Sequence, residues 1–200
     1  MRTDPRLPSL LDLLARRSAR RGQFTLASGK QSTLYIDARL TTMSPDGLTL
    51  IGPLALDAIR GAGWAVQSVG GLTLGADPIS YAISYASALA TGEGATGEGA
   101  PPSALRAFTV RKEAKGHGTG KLVEGTFEPG DRVAVIEDVI TTGGSALKAI
   151  AALRAAGGTV AGVLALVDRE EGGRETIERE AGVPVVSLTR ASEIVARMAS

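Results

Sequence analysis

Two segments of the chain are apolar at every position, and this feature constrains the fold more than any other. Residues 133–136 are Val-Ala-Val-Ile, and residues 160–167 are aliphatic apart from one glycine. A strand with one face in water alternates polar and apolar residues, so these runs are typical of parallel strands covered on both faces. A predicted helix, residues 145–156, lies between them and ends at Gly157 and Gly158. The sequence therefore predicts an α/β fold with a mostly parallel central sheet flanked by helices.

Apolar periodicity, capping residues and turn residues predict the remaining elements. Helices are expected over residues 9–21, 44–60, 75–89, 145–156, 175–181 and 192–198. Strands are expected over residues 64–71, 105–110, 132–136, 160–167 and 183–188, with a strand, a turn and a second strand over 24–36. Pro53 is expected to bend the second helix or to delay its start.

The length of 200 residues fits a single domain, residues 1–200. Within it, residues 1–40 are expected to form an N-terminal helix and two strands. Residues 90–104 are a low-complexity insertion that contains Ala-Thr-Gly-Glu-Gly twice, and they are predicted to be a mobile surface loop.

Charge and composition exclude several classes of function. Lys plus Arg number 22 and Asp plus Glu number 21, so neither nucleic acid nor a membrane is expected as a partner. The chain has no cysteine and one histidine, which excludes thiolate chemistry and multi-histidine metal sites, and no metal ligands are assigned. The N-terminal leucines precede the arginines, the reverse of a secretory signal, so the expected location is the cytoplasm.

The segment 133–145 is the first candidate site. A buried strand is expected to end at Glu137 and Asp138, followed by a loop rich in hydroxyls and glycines and then by a helix. Backbone N–H groups at such a helix start bind phosphate, although no lysine follows the glycines as it does in a P-loop. The two carboxylates suit ribose hydroxyls or a magnesium-bound water. The alternative is an acid pair at a strand end beside a capped helix.

Two further segments carry chemistry. Residues 106–121 hold five cations and one acid among glycines, which indicates a mobile loop that could close on a polyanionic substrate. Arg169 directly follows an apolar strand, where its planar fork could hold a carboxylate or two carbonyl oxygens. The alternatives are a solvated basic loop and a surface salt bridge.

These segments resemble a known family. Residues 137–145, Glu-Asp-Val-Ile-Thr-Thr-Gly-Gly-Ser, are similar to the phosphoribosyl-diphosphate motif of type I phosphoribosyltransferases. Residues 111–118, Arg-Lys-Glu-Ala-Lys-Gly-His-Gly, resemble the mobile loop of one branch, the orotate phosphoribosyltransferases, and this likeness is much more specific. Residues 24–29 with Ser32 and Tyr35, residues 75–78, and Asp168 with Arg169 also fit that branch.

The resemblance implies a type I phosphoribosyltransferase-like fold with a small N-terminal hood segment and a mobile loop. It implies transfer of the phosphoribosyl group from phosphoribosyl diphosphate to orotate, in pyrimidine biosynthesis. It also implies Mg²⁺, bound mainly through phosphoribosyl diphosphate, and a homodimer with shared active sites. Orotidine 5′-monophosphate and diphosphate would be the products.

The same resemblance assigns roles to residues. Those implied to bind phosphoribosyl diphosphate are Arg111, Lys112, Lys115, His117, Glu137, Asp138, Val139, Ile140, Thr141, Thr142, Gly143, Gly144 and Ser145. Those implied to act in catalysis are Lys115, His117, Glu137 and Asp138, and those implied to contact orotate are Thr141 and Arg169.

Two positions depart from the pattern, because some members of the branch carry lysine where this chain has Ala27 and Gly75. The alternative functions are transfer to another base and sensing of phosphoribosyl diphosphate by a non-catalytic regulator. A regulator of this kind would carry an added nucleic-acid-binding element, which the short N-terminal helix and the balanced charge do not supply.

Overall fold

The structure is a computed structural model that describes residues 4–25, 31–91, 104–113 and 121–198. The helices are, in chain order, α1 (Arg6–Arg17), α2 (Arg39–Thr42), α3 (Pro45–Gly61), α4 (Ala76–Thr91), α5 (Gly144–Ala155), α6 (Gly173–Ala181) and α7 (Ala191–Val195). The strands are β1 (Ala19–Thr25), β2 (Gln31–Ile36), β3 (Ser68–Leu72), β4 (Arg106–Val110), β5 (Val123–Gly125), β6 (Arg132–Ile140), β7 (Thr159–Asp168) and β8 (Val185–Arg190).

A six-stranded sheet in the order β5-β4-β3-β6-β7-β8 forms the centre of the fold. Only the edge strand β5 is antiparallel to its neighbour, so the predicted mostly parallel sheet is confirmed. Strands β1 and β2 form a separate antiparallel hairpin near the N-terminus, which confirms the strand pair of the predicted hood segment. The carboxyl ends of β3, β4, β6 and β7 therefore meet at one edge of the sheet.

The sheet is buried on both faces. Ala134 and Ile136 of β6 pack into a cluster with α1, α3, α4 and α7, whereas Val133 and Val135 pack into a second cluster with α5 and α6. This arrangement explains why β6 and β7 carry continuous apolar runs rather than alternating ones. Among the described residues, no helix is long and apolar enough to cross a membrane.

Some predicted boundaries were wrong. Helix α1 ends at Arg17, since residues 19–21 pair with β2 instead of continuing the predicted helix to residue 21. Helix α3 begins at Pro45, with the Gly47 N–H donating to Ser44 Oγ at 3.2 Å, so Pro53 does not delay its start. The buried side chains of α3 offset the roughly 3 kcal/mol that an internal proline costs.

The predicted insertion is only partly described. Residues 90 and 91 belong to α4, and residues 92–103 lie outside the described residues, so the prediction of a mobile loop remains a prediction. The short elements α2 and β5 were not predicted at all, because segments of four and three residues carry too little periodicity to be recognised.

Candidate active site

The two acids lie inside a strand rather than at its end. Strand β6 continues four residues beyond the predicted end at Ile136, because Glu137 pairs with Ala165 and Ile140 pairs with Asp168 of β7. Val139 also pairs with β7, so residues 137–140 belong to the sheet and not to the predicted loop. The acids are consequently held by backbone hydrogen bonds.

Glu137 is buried without a full set of partners. Its side chain is 7% exposed, and its Oε2 atom has no hydrogen-bond partner among the described residues. Burial, reinforced by the neighbouring Asp138 charge, raises the pKa of Glu137 to about 8. An unsatisfied buried carboxylate is costly for folding, so this group is suited to hydroxyl donors that a ligand would supply.

Asp138 is also largely enclosed, and burial raises its pKa above the ordinary value. The backbone N–H of Val139, which donates to Asp138 Oδ1 at 2.8 Å, and the charge of Arg39 both oppose that rise. Arg39 itself is held by Asp37 through two hydrogen bonds of 2.8 and 2.9 Å. The hood segment thus contributes a charged pair, Asp37 and Arg39, to the surroundings of Asp138, and no local sequence signal predicts it.

The segment after β6 leaves the start of α5 open. Gly143 adopts φ 84°, and no side chain among the described residues caps the helix. A Cβ atom at Gly143 would lie 2.8 Å from the Gly173 carbonyl oxygen, so both space and conformation require glycine there. Thr142, Gly144 and Ser145 are exposed, and uncapped N–H groups in a first helical turn suit a phosphate, so the predicted phosphate site stays a prediction.

The loop between β3 and α4 approaches the acids closely. A Cβ atom at Gly75 would lie 2.5 Å from the carboxylate carbon of Asp138, so no other residue fits this backbone without displacing one of them. A side chain at this position would therefore have to displace the Asp138 carboxylate. The sequence predicts a helix start at Gly75 but not this contact.

Arg169 is buried at the end of β7. Its side chain is 6% exposed, and its Nε and Nη2 atoms donate to Glu171 Oε1 at 3.1 and 2.8 Å. Nη2 also lies 3.2 Å from Ser32 Oγ of the hairpin, and the Arg169 backbone N–H donates to the Ile140 carbonyl at 2.9 Å. The salt bridge of the alternative interpretation is therefore present, but its arginine is buried rather than on the surface, and it connects the hood segment to the sheet edge.

The cationic segment begins at the same edge. The Arg111 backbone N–H donates to the Leu122 carbonyl at 2.8 Å, and its Nη1 donates to Glu124 Oε1 of β5 at 3.1 Å. The buried Nε of Arg111 has no partner among the described residues. Lys112 lies beside it, whereas Lys115 and His117 lie outside the described residues, as does Ala27.

The topology brings the described candidates together at the carboxyl edge of the sheet, the place where ligands bind in α/β folds. Glu137 and Asp138 lie near the carboxyl end of β6 and the segment 141–145 follows it, Arg111 follows β4, and Arg169 follows β7. Among the residues that the structure describes, no three His, Asp or Glu side chains form a group that could hold a metal ion. The edge therefore brings together two carboxyl groups, an uncapped helix start and two guanidinium groups.

The comparisons with known proteins agree with this chemistry. No protein-family model matches the chain. The sequence is 47% identical to an orotate phosphoribosyltransferase of Aquifex aeolicus over 172 residues, which cover 86% of each chain. It is 42% identical to the Rhodopirellula baltica enzyme of that name, over 92% of this chain and 91% of the relative.

Solved structures show the same likeness. Mycobacterium tuberculosis orotate phosphoribosyltransferase in complex with 5-phospho-α-D-ribosyl 1-diphosphate is 37% identical, with a TM-score of 0.75 over 96% of this chain and 99% of that one. The Aeropyrum pernix enzyme is 33% identical, with a TM-score of 0.75 over 94% and 97% of the two chains. The predicted type I phosphoribosyltransferase fold is confirmed, and the chain belongs to the orotate phosphoribosyltransferase family.

Proposed function

We propose that the protein transfers the 5-phosphoribosyl group from phosphoribosyl diphosphate to orotate, giving orotidine 5′-monophosphate and diphosphate in pyrimidine biosynthesis. One observation carries this most directly. The buried, incompletely partnered Glu137 and the adjacent Asp138 lie near the end of β6, and the segment 141–143 joins that strand to the uncapped start of α5. Acceptors for ribose hydroxyls therefore adjoin a cradle for the 5′-phosphate.

Each part of the edge has a role in this proposal. The segment Thr141, Thr142, Gly143, Gly144 and Ser145 holds the 5′-phosphate, and Glu137 and Asp138 accept the ribose hydroxyls. Arg111 and Lys112, with Lys115 and His117, bind the diphosphate. Thr141 and Arg169 contact orotate, where the Arg169 fork suits a carboxylate or carbonyl oxygens.

The chemistry needs positioning and charge stabilisation more than a strong base. Breaking the bond between the ribose carbon and diphosphate develops positive charge on the ring and negative charge on the leaving group. The carboxylate of Asp138 suits the first charge, as does Glu137 once it has lost its proton, and the cations near Arg111 suit the second. Orotate then attacks through a ring nitrogen, so no residue of the chain has to act as a nucleophile.

Mg²⁺ fits the site as a partner of the substrate. The described residues supply two adjacent carboxylates, Glu137 and Asp138, and no group of three metal-ligating side chains. A cation would therefore be held mainly by diphosphate oxygens, with a carboxylate contacting at most a magnesium-bound water. When bound, it would neutralise the charge of the leaving diphosphate.

The proposal includes a homodimer formed through the α3–α4 face. Tyr81, Tyr85 and Leu89 are 54%, 69% and 68% exposed at successive turns of α4, and they border an apolar groove of about 1210 Å³. Exposed apolar patches of this kind mark interfaces between proteins. Leu74 lines the same groove, so a second copy seated there would lie beside the loop that contacts Asp138, as shared active sites require.

We also retain the cytoplasm as the proposed location, because phosphoribosyl diphosphate is a polyanion that does not cross a membrane unaided.

The loss of orotate absorbance on mixing protein, phosphoribosyl diphosphate and Mg²⁺ tests the function. We expect rapid loss with the wild-type protein and a fall in kcat of about 10² or more in Lys115→Ala, because a loop cation that acts on the leaving group stabilises charge only in the transition state. Lys148→Ala removes an exposed lysine of α5 and serves as the matched control. Turnover of adenine, xanthine or another base without turnover of orotate would contradict the assignment.

A further inference from the structure

Asp77, at the start of α4, is the centre of a hydrogen-bonded network that the proposed mechanism does not use. Its side chain is 8% exposed, and it has a hydroxyl donor for each carboxylate oxygen. Thr73 Oγ1 donates to Oδ2 at 2.7 Å, and Thr109 Oγ1 donates to Oδ1 at 2.9 Å. The two threonines belong to different segments, since Thr73 follows β3 and Thr109 lies in β4.

The direction of the network follows from the number of hydroxyl protons. Thr109 Oγ1 lies 3.1 Å from the hydroxyl of Tyr81, and either oxygen could be the donor. Because Thr109 gives its only hydroxyl proton to Asp77, Tyr81 must donate to Thr109. The chain of donors therefore runs from Tyr81 through Thr109 to Asp77, while Thr73 approaches Asp77 from the other side.

The network fixes the loop that contacts the acids of β6. The Thr73 backbone N–H donates to the Val110 carbonyl at 2.8 Å, so both its backbone and its side chain are tied to neighbours. Two residues later, Gly75 lies against the carboxylate of Asp138. Asp77 thus holds one end of residues 73–75, and through Thr109 it also holds the end of β4, just before Arg111.

We propose that Asp77 is a positioning residue of the transferase: with Thr73 and Thr109 it sets the 73–75 loop against Asp138 and ties that loop to the strand that carries Arg111. The inference rests on the proposed function, because it concerns the end of that site where the phosphoribosyl diphosphate lies. It assigns Asp77 no contact with substrate. Its effect passes through the placement of the loop, where a displacement of about 1 Å can cost about 10² in rate.

The test compares Asp77→Ala and Thr109→Val with the wild-type enzyme in full steady-state kinetics for both substrates. We expect kcat/KM for phosphoribosyl diphosphate to fall by about 30-fold or more in Asp77→Ala and by about 5-fold in Thr109→Val, with KM for orotate unchanged. Thr109→Ser keeps the hydroxyl and should restore the wild-type value. The double variant should be no worse than Asp77→Ala alone, because both changes break one network.

Thr126→Val is the matched control, since the Thr126 hydroxyl donates to the Ala107 carbonyl at 2.9 Å near the other end of β4. Thermal unfolding of each variant shows whether a lower activity comes from a displaced 73–75 loop or from a smaller fraction of folded protein. Equal losses for both substrates in step with a lowered Tm, additive effects in the double variant, or kcat/KM within twofold of wild type would each overturn the inference. A wild-type protein that fails to turn over orotate would overturn the proposed function instead, so the two failures are distinguishable.

Discussion

Replacing Glu137 with glutamine should stabilise the protein while impairing its activity. The carboxyl of Glu137 is buried and its Oε2 lacks a partner among the described residues, so the folded state binds its proton more tightly than the unfolded chain does. Its pKa is about 8 in the folded protein against an ordinary value of 4.5. Stability from this group is therefore fully present below pH 4.5 and is lost as the pH rises to 8.

The size of the effect follows from these two values. Each pH unit between them lowers the free energy of unfolding by about 1.4 kcal/mol, which gives on the order of 4 kcal/mol between pH 5 and pH 8. Glutamine has nearly the same shape and does not ionise. We expect the free energy of unfolding of Glu137→Gln to exceed that of the wild type by about 3 kcal/mol at pH 7 and by less than about 1 kcal/mol at pH 5.

Urea unfolding of both proteins at pH 5, 6, 7 and 8, at one fixed protein concentration, measures the difference. Glu175→Gln removes an exposed glutamate of α6 and controls for the loss of one negative charge. The same Glu137→Gln protein should have a lower kcat/KM for phosphoribosyl diphosphate, because the amide has one acceptor oxygen for ribose hydroxyls where the carboxylate has two. A difference in the free energy of unfolding that stays constant from pH 5 to pH 8 would refute the raised pKa of Glu137. Undiminished activity would refute the contact with ribose.

Three other changes probe separate parts of the molecule. Gly75→Ala places a methyl group about 2.5 Å from the Asp138 carboxylate carbon, so kcat/KM for phosphoribosyl diphosphate should fall at least about 10-fold in steady-state assays. Arg169→Lys removes the planar fork, so KM for orotate should rise about 10-fold while KM for the other substrate holds. Asp131→Ala leaves the buried Ser68 hydroxyl and the Glu128 N–H, each 3.0 Å from Asp131, without their acceptor, which should cost about 2–4 kcal/mol in urea unfolding.

The general architecture could be predicted from sequence because its signals are local. Strands β6 and β7 are apolar over most of their length, and this pattern predicts burial on both faces whatever the neighbours are. Helix boundaries are likewise marked by adjacent residues: Ser44 caps the start of α3, and Gly157 follows the end of α5. The boundaries that were missed depend on pairing with another strand, as in residues 19–21 and 137–140.

The chemistry of the candidate site was predictable in type but not in arrangement. The sequence indicates that Arg169 follows a strand, yet its enclosure comes from Glu171 and from Ser32, which is 137 positions away in the chain. The contact between Gly75 and Asp138 is similarly invisible, since a glycine after a strand is equally typical of an ordinary turn. Distances of this kind depend on which strands are neighbours in the sheet, and composition carries no information about that order.

The state of Glu137 is the clearest case of what only the fold determines. Two adjacent acids at the end of an apolar run give the same sequence pattern whether their side chains are exposed to water or buried in the sheet. Pairing of Glu137 with Ala165 carries β6 onward, and the Glu137 carboxyl is buried before any ligand arrives. An acceptor buried in this way destabilises the protein, and because its Oε2 has no donor among the described residues, a hydroxyl donor that enters the site would stabilise it. The feature that makes Glu137 unfavourable for folding is therefore the same one that suits it to bind a ribose.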